Sequence, residues 1–146
     1  LNGVWVTSVG YSGGDTENPS YEDVCYKETN HAEVVKVIYD KNKISLNELL
    51  KIFWECHDPT QGMRQGNDIG EQYRSAIYCK NDEDLKEALN SKNSYAKVLK
   101  QNGFADITTE ILKDVMCFPA EEYHQQYLAK NPNGYCGIKG TGCAFI

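Results

Sequence analysis

Residues 34–53 read VVKVIYDKNKISLNELLKIF and join two elements of different periodicity. The first part, 34–39, consists mainly of β-branched and aromatic residues, which predicts a strand that ends at a polar turn. Ser45 and Glu48 have the spacing of a capping box, so a helix is predicted to begin here and to end before Pro59. Its leucines recur at helical spacing and form an apolar stripe that should face a sheet.

Similar patterns predict further elements on both sides of this stretch. The order β, β, α, β, α, β, α predicts an α+β fold, a two-layer α/β sandwich with a mixed sheet and a ferredoxin-like core. Residues 57–70 carry glycines without periodicity, which predicts a long ordered loop. The predicted strands are 4–9, 34–39, 75–79 and 107–112. The first predicted helix starts at Ser45, and a second is capped by Asp82 and stops at Asn102 and Gly103. A third is opened by Pro119 and covers residues 120–129.

The length of 146 residues predicts one domain over 1–146 with a single core. The net charge is −6 and the sequence pI is about 5.0, without a dense run of Lys and Arg, which disfavours binding to nucleic acid. No stretch approaches the ~18 apolar residues of a membrane span. The chain starts at Leu1 and reads as strand within a few residues, so we expect it to be an N-terminally truncated fragment.

The chain has six cysteines, an even number that would suit a disulfide scaffold, but it shows no signal-peptide pattern. No Cys-x-x-Cys occurs and the three histidines stand far apart, so no metal site is predicted. The remaining interpretation is a set of thiols, some inert and some reactive. The cysteines are Cys25, Cys56, Cys79, Cys117, Cys136 and Cys143.

Residues 131–146 hold four glycines and the thiols Cys136 and Cys143. Glycine flexibility lets a cysteine reach distant partners, as a resolving thiol must do when it attacks a sulfenic acid or a disulfide. The alternative is a frayed end with incidental cysteines. In both cases we expect a mobile tail.

Several polar side chains are candidates for a site, and each also has an ordinary structural explanation. Glu33 precedes an apolar run, where desolvation would favour the neutral acid and let it donate a proton, although a solvated strand end is commoner. Tyr21 and Tyr73 lie in or beside polar loops, where a phenol orients a polar oxygen or simply packs. Asp68 is a candidate site residue that also suits a turn. His124 is a further candidate that also suits a packing or capping position.

Eight segments of the chain, taken together, resemble the type A peptide-methionine sulfoxide reductases. They follow the order of that family over nearly the whole chain, and a coincidence across eight motifs is not credible. The segments are GYSGG (10–14), NPSYEDVC (18–25), HAEVV (31–35), FWECHDPTQ (53–61), RQGND (64–68), QYRSAIY (72–78), YHQQYL (123–128) and NPNGYCG (131–137).

The resemblance implies thiol-dependent reduction of methionine-(S)-sulfoxide, free or in proteins, to methionine, which repairs oxidative damage. A sulfoxide is a poor electrophile until its oxygen is protonated or strongly hydrogen-bonded. By the same resemblance, Glu33 is the acid, and Tyr21 and Tyr73 hold the oxygen. Asp68 and His124 take part in substrate binding.

The resemblance also implies a thiol relay without a bound cofactor. A nucleophilic cysteine becomes a sulfenic acid, Cys136 condenses with it, and Cys143 then exchanges with the resulting disulfide. Thioredoxin is the expected partner and reductant of the final disulfide. We expect a monomer in the cytoplasm, with mitochondria as the alternative location.

The sequence departs from the family at its nucleophile. The family's cysteine lies in a Gly-Cys-Phe-Trp motif upstream of the strand that begins here, and this motif does not occur in the sequence. Cys56 stands where the family usually has Asn, and Cys117 interrupts an aromatic run, so we interpret both as packing residues. The alternative function is a nucleophile-less protein that binds oxidised methionine without reducing it.

Overall fold

The computed structural model describes residues 2–26, 29–122, 125 and 140–145. Within these residues, no helix is long and apolar enough to cross a bilayer. The strands are β1 (Val4–Ser12), β2 (Ala32–Tyr39), β3 (Arg64–Gln65), β4 (Asp68–Ile69), β5 (Ala76–Cys79), β6 (Glu110–Lys113) and β7 (Cys117–Pro119). The α-helices are α1 (Tyr21–Tyr26), α2 (Leu46–Cys56) and α3 (Asp82–Gln101), and a 3-10 helix spans Glu71–Tyr73.

Strand β1 is the centre of an antiparallel sheet with the order β2-β1-β7. Its register places Tyr11 between Glu33 of β2 and Phe118 of β7. Strands β5 and β6 pair in parallel, with α3 between them in the chain, and β3 pairs with β4 as a short hairpin. Helices with both parallel and antiparallel pairing confirm the predicted mixed α/β fold, while the ferredoxin-like core stays a prediction.

Helix α2 begins where the capping box predicts. The Ser45 hydroxyl accepts a hydrogen bond from the Glu48 amide at 3.1 Å, and the Glu48 carboxylate accepts one from the Ser45 amide. The helix ends at Cys56, before Pro59, as predicted. Both ends of α2 are therefore set by local sequence.

The main core lies between α2 and α3. Leu50 belongs to the predicted apolar stripe and is buried, but the largest buried side chain on α2 is Trp54, one turn further on. The Trp54 indole donates a hydrogen bond to the Ser91 hydroxyl at 2.9 Å, so its polar atom is satisfied inside the core. Tyr95 packs on Trp54 with ring centroids 5.7 Å apart.

The last described residues end against this core. The Tyr95 hydroxyl donates a hydrogen bond to the Cys143 carbonyl at 3.0 Å, and Phe145 is buried with its ring 6.1 Å from that of Tyr95. The prediction of a mobile tail therefore does not describe residues 140–145. Residues 131–139 lie outside the described part of the chain.

Helix α3 begins one residue earlier than the predicted cap implies. Asn81, and not Asp82, is the N-cap, because the Asn81 side chain accepts a hydrogen bond from the Asp84 amide at 2.8 Å. Asp82 is the first helical residue and adds negative charge to the first turn. The predicted stop is confirmed, since Asn102 is the C-cap and Gly103 has φ +81°.

The prediction that Pro119 opens a helix is wrong. Pro119 is the last residue of β7, where it pairs with Gly10 of β1, and the Ala120 amide continues this pairing to the Val9 carbonyl at 2.9 Å. A proline fits this edge strand because the neighbouring Ala120 amide makes the ladder bond to β1, so the position of Pro119 needs no amide proton. The remainder of the predicted helix, 120–129, lies largely outside the described residues.

Replacing Ser45 with Ala should lower the free energy of unfolding by about 1 kcal/mol, because the Glu48 amide loses its acceptor. Urea unfolding measures this effect. Ser94→Ala, at an exposed position in the middle of α3, is the matched control and should change stability by less than about 0.5 kcal/mol. Equal destabilisation by both substitutions would contradict the capping role.

Candidate active site

Helix α1 places two functional side chains on one face. The Ser20 hydroxyl accepts a hydrogen bond from the Asp23 amide, and the Asp23 carboxylate accepts one from the Ser20 amide, both at 3.1 Å. This reciprocal cap starts the helix at Tyr21. Tyr21 and Cys25 are four residues apart, so their side chains meet on the same face.

The 3-10 helix Glu71–Tyr73 packs against this face of α1. Gln72 is buried, and its amide group donates a hydrogen bond to the Cys25 sulfur at 3.6 Å. The next residue, Tyr73, is half-buried. Cys25 thus links the helix that carries Tyr21 to the segment that carries Tyr73.

Strand β2 brings Glu33 to the same region. Glu33 is the second residue of β2 and is exposed, in register with the buried Tyr11 of β1. Its position at the start of the strand places the carboxyl group at the rim of the sheet. The structure has Glu33 accessible to solvent, so it fits the solvated strand end and not the desolvated carboxyl group that the sequence analysis considered.

These neighbours affect the pKa of the Tyr21 phenol. A hydrogen bond with Cys25 and desolvation raise the pKa of the Tyr21 phenol well above its ordinary value. The proximity of Tyr73 and Glu33 raises this pKa further, because an ionised Tyr21 would face their negative charge. Tyr21 is therefore a protonated phenol at neutral pH, able to donate a hydrogen bond to an oxygen placed among these groups.

The family model described as peptide methionine sulfoxide reductase matches residues 1–143. The chain belongs to this family.

Three relatives illustrate the likeness. The mitochondrial peptide methionine sulfoxide reductase of Homo sapiens is 58% identical over 142 residues, which cover 97% of this chain and 60% of that protein. Peptide methionine sulfoxide reductase MsrA of Pseudomonas entomophila is 59% identical over 140 residues, covering 96% and 63%. The structure of methionine sulfoxide reductase A of Corynebacterium diphtheriae has a TM-score of 0.87 at 47% identity, covering 92% of this chain and 67% of that one. The chain thus spans about 60% of the length of the curated relatives that it matches.

The predicted site residues do not all lie together in the structure, because Cys143 and Tyr21 pack on different clusters. Asp68 is half-buried on the β3-β4 hairpin, which continues through Gly70 into the 3-10 helix, where the Gly70 carbonyl accepts a hydrogen bond from Tyr73. Cys143 packs on the core of Trp54 and Tyr95, whereas Tyr21 packs on a second cluster, of Tyr11, Val24 and Ala120. His124 and Cys136 lie outside the described residues.

Arg74 holds neighbouring segments of the chain together, although no sequence pattern predicts this. Its side chain is only 11% exposed and donates hydrogen bonds to the carbonyls of Asn30 and Glu71, each at 2.8 Å. It also forms an ion pair with Glu110 at 3.3 Å, and the Tyr78 hydroxyl donates to the same carboxylate at 2.7 Å. Its place beside Tyr73 in the motif QYRSAIY was the available signal.

Cys25 was also missed, although it closes the motif NPSYEDVC. Cys25 does not match the family's nucleophile, so the motif alone predicts no role for it. In the structure its sulfur is hydrogen-bonded to both Tyr21 and Gln72. Only the packing of α1 on the 3-10 helix reveals this contact.

His57 anchors the start of the loop that leads to the hairpin. Its Nδ1 donates a hydrogen bond to the Phe53 carbonyl at 2.6 Å, and its Nε2 accepts one from the Ser75 hydroxyl at 2.8 Å. The Ser75 oxygen also lies 2.7 Å from the Thr109 hydroxyl. Burial lowers the pKa of His57, so the ring is held neutral.

The stability of the chain should depend on pH through His57. Between the lowered folded pKa of His57 and its unfolded value of about 6.5, the unfolded state binds more protons, so this contribution is lost as pH falls below about 6.5. His57→Gln has no such titration. We expect the stability difference between wild type and variant, measured by urea unfolding, to narrow between about pH 7.5 and about pH 5.5. A difference that stays constant over this range would contradict a buried neutral His57.

Proposed function

We propose that this chain carries the sulfoxide-binding and proton-donating site of a reductase that converts methionine-(S)-sulfoxide, free or in proteins, to methionine. The observation that carries this proposal is the packing of the 3-10 helix, which carries Tyr73, against both α1, which carries Tyr21, and β2, which carries Glu33. The family membership supports the same reaction. Repair of oxidised proteins is the corresponding biological role.

In the proposed mechanism the sulfoxide oxygen lies among these three side chains. Tyr21 and Tyr73 donate hydrogen bonds to this oxygen, and the high pKa of Tyr21 keeps its proton in place. Glu33 transfers a proton to the oxygen while a thiolate attacks sulfur. Asp68 and His124 contribute to substrate binding.

The thiol half of the reaction forms a relay. Attack by the nucleophilic thiolate releases methionine and leaves a sulfenic acid, with which Cys136 condenses to a disulfide and water. Cys143 then exchanges with this disulfide, and thioredoxin reduces the product to two thiols. This sequence contains no Gly-Cys-Phe-Trp motif to supply the nucleophile.

The proposal includes the setting of the reaction. Thioredoxin is the reductant, no cofactor is bound, and the protein acts as a monomer. We assign it to the cytoplasm, with mitochondria as the alternative, since the matched relatives include a bacterial protein and a mitochondrial one.

A second candidate function has an observation of its own. The sequence retains Glu33, Tyr21 and Tyr73 without the nucleophile motif, which suits a protein that binds oxidised methionine and does not reduce it. The retention of Cys136 and Cys143 favours the reductase, because a binding protein has no sulfenic acid to resolve.

Turnover separates the two candidates. The printed chain should show no thioredoxin-dependent reduction of a methionine-(S)-sulfoxide peptide, because it has no nucleophile motif. A chimera in which the Gly-Cys-Phe-Trp segment of a matched relative is joined to the N-terminus of this chain should reduce the peptide. The assay follows NADPH oxidation coupled to the reduction of thioredoxin. An inactive, folded chimera would favour the binding protein, and activity of the printed chain would show that another of its cysteines acts as nucleophile.

Glu33→Gln in the active chimera should slow sulfoxide reduction by roughly 10²–10⁴-fold, the usual contribution of a general acid. Single-turnover measurement of methionine release isolates the chemical step. The matched control is Glu83→Gln, at an exposed position on α3, which should leave the rate unchanged. A normal rate with Glu33→Gln would remove Glu33 from the mechanism.

A further inference from the structure

The C-terminal end of α2 and residues 140–145 lie together. The backbone of Gly140 is so close to Glu55 that an added Cβ would come within 2.3 Å of its carbonyl oxygen and 3.8 Å of the Cys56 carbonyl carbon. Further along, the Phe145 amide donates a hydrogen bond to the Glu55 carboxylate at 2.8 Å. The segment is therefore fixed at Glu55 on both sides of Cys143.

These two attachments limit how far Cys143 can be from Cys56. Chain geometry allows at most about 10 Å between the Cα atoms of Gly140 and Cys143 and about 7 Å between those of Cys143 and Phe145. Cys143 is half-buried against the core that contains Trp54. Trp54 and Cys56 lie on the same helix, α2. Both thiols are free in the structure, and a disulfide needs Cα atoms about 4.4–6.8 Å apart, a separation that lies within these limits.

Cys56 is suited to exchange because of its position. It is exposed as the last residue of α2, with its thiol 3.4 Å from the Phe53 carbonyl and 3.9 Å from Nδ1 of His57. That histidine is neutral and donates its Nδ1 proton to Phe53, so it does not activate the thiol. Desolvation raises the pKa of Cys56, and its reactivity must therefore increase with pH.

We infer that Cys56 and Cys143 form a second dithiol–disulfide pair, which extends the thiol relay of the proposed function to the end of α2. The pair is oxidised by exchange with a disulfide that includes Cys143. The Cys56 thiolate attacks the Cys143 sulfur, the Cys56–Cys143 bond forms, and the former partner sulfur leaves as a thiolate that takes up the proton lost by Cys56. One thiol is consumed and one is released in this exchange, so no other oxidant is needed.

The test uses the printed chain in a buffer of reduced and oxidised glutathione, so it does not depend on reductase activity. Cys136→Ser removes the other predicted relay thiol, and disulfides are mapped by mass spectrometry after acid quenching. We expect the Cys56–Cys143 pair to be the main oxidised species, formed more rapidly at higher pH. Cys143 found only as its glutathione adduct would overturn the inference.

Matched variants in this background assign the partner. Cys56→Ser should slow the loss of the Cys143–glutathione adduct at least about tenfold, because an intramolecular thiol acts at a high effective concentration. Cys117→Ser, which removes a half-buried thiol on β7, should leave this rate unchanged. Equal rates with and without Cys56 would refute the pair. An inactive chimera together with a Cys56–Cys143 disulfide would instead reject the proposed reductase alone.

Discussion

The guanidinium group of Arg74 joins the segments on which the candidate site depends. It binds the carbonyl of Asn30 just before β2, the carbonyl of Glu71 in the 3-10 helix and the carboxylate of Glu110 in β6. Hydrogen bonds with a charged donor in a largely buried position are among the stronger ones in proteins. Through them, the strand that carries Glu33 and the segment that carries Tyr73 are held by one side chain.

The sequence predicted those parts of the fold that local interactions determine. The capping box of Ser45 and Glu48 and the stop at Asn102 and Gly103 were found where the patterns indicated, and strands were predicted at β1, β2, β5 and β6. The errors arose where tertiary contacts decide. Pro119 suits a helix start by its fixed φ, yet pairing of β7 with β1 makes it the end of a strand. Asn81 outcompetes its neighbour Asp82 as a cap, a difference of one position that composition does not resolve.

The site was only partly predictable for the same reason. The family motifs indicated Glu33, Tyr21 and Tyr73, while Cys25 and Arg74 act through contacts between segments distant in sequence, which a single chain of letters does not reveal. The sequence indicates a packing role for Cys56, whereas its side chain is exposed at the end of α2, beside the docked residues 140–145. For Cys25, Arg74 and Cys56, the sequence did not indicate which segments pack against one another.

The burial of Phe145 ties residues 140–145 to the main core. Its side chain is only 8% exposed and shares a core with Trp54 and Tyr95. Burial of a phenylalanine is worth about 1.5–3 kcal/mol, so drawing Cys143 far from this core would require local opening with a cost of that order. Any movement of Cys143 away from Trp54 and Tyr95 therefore requires this local opening first.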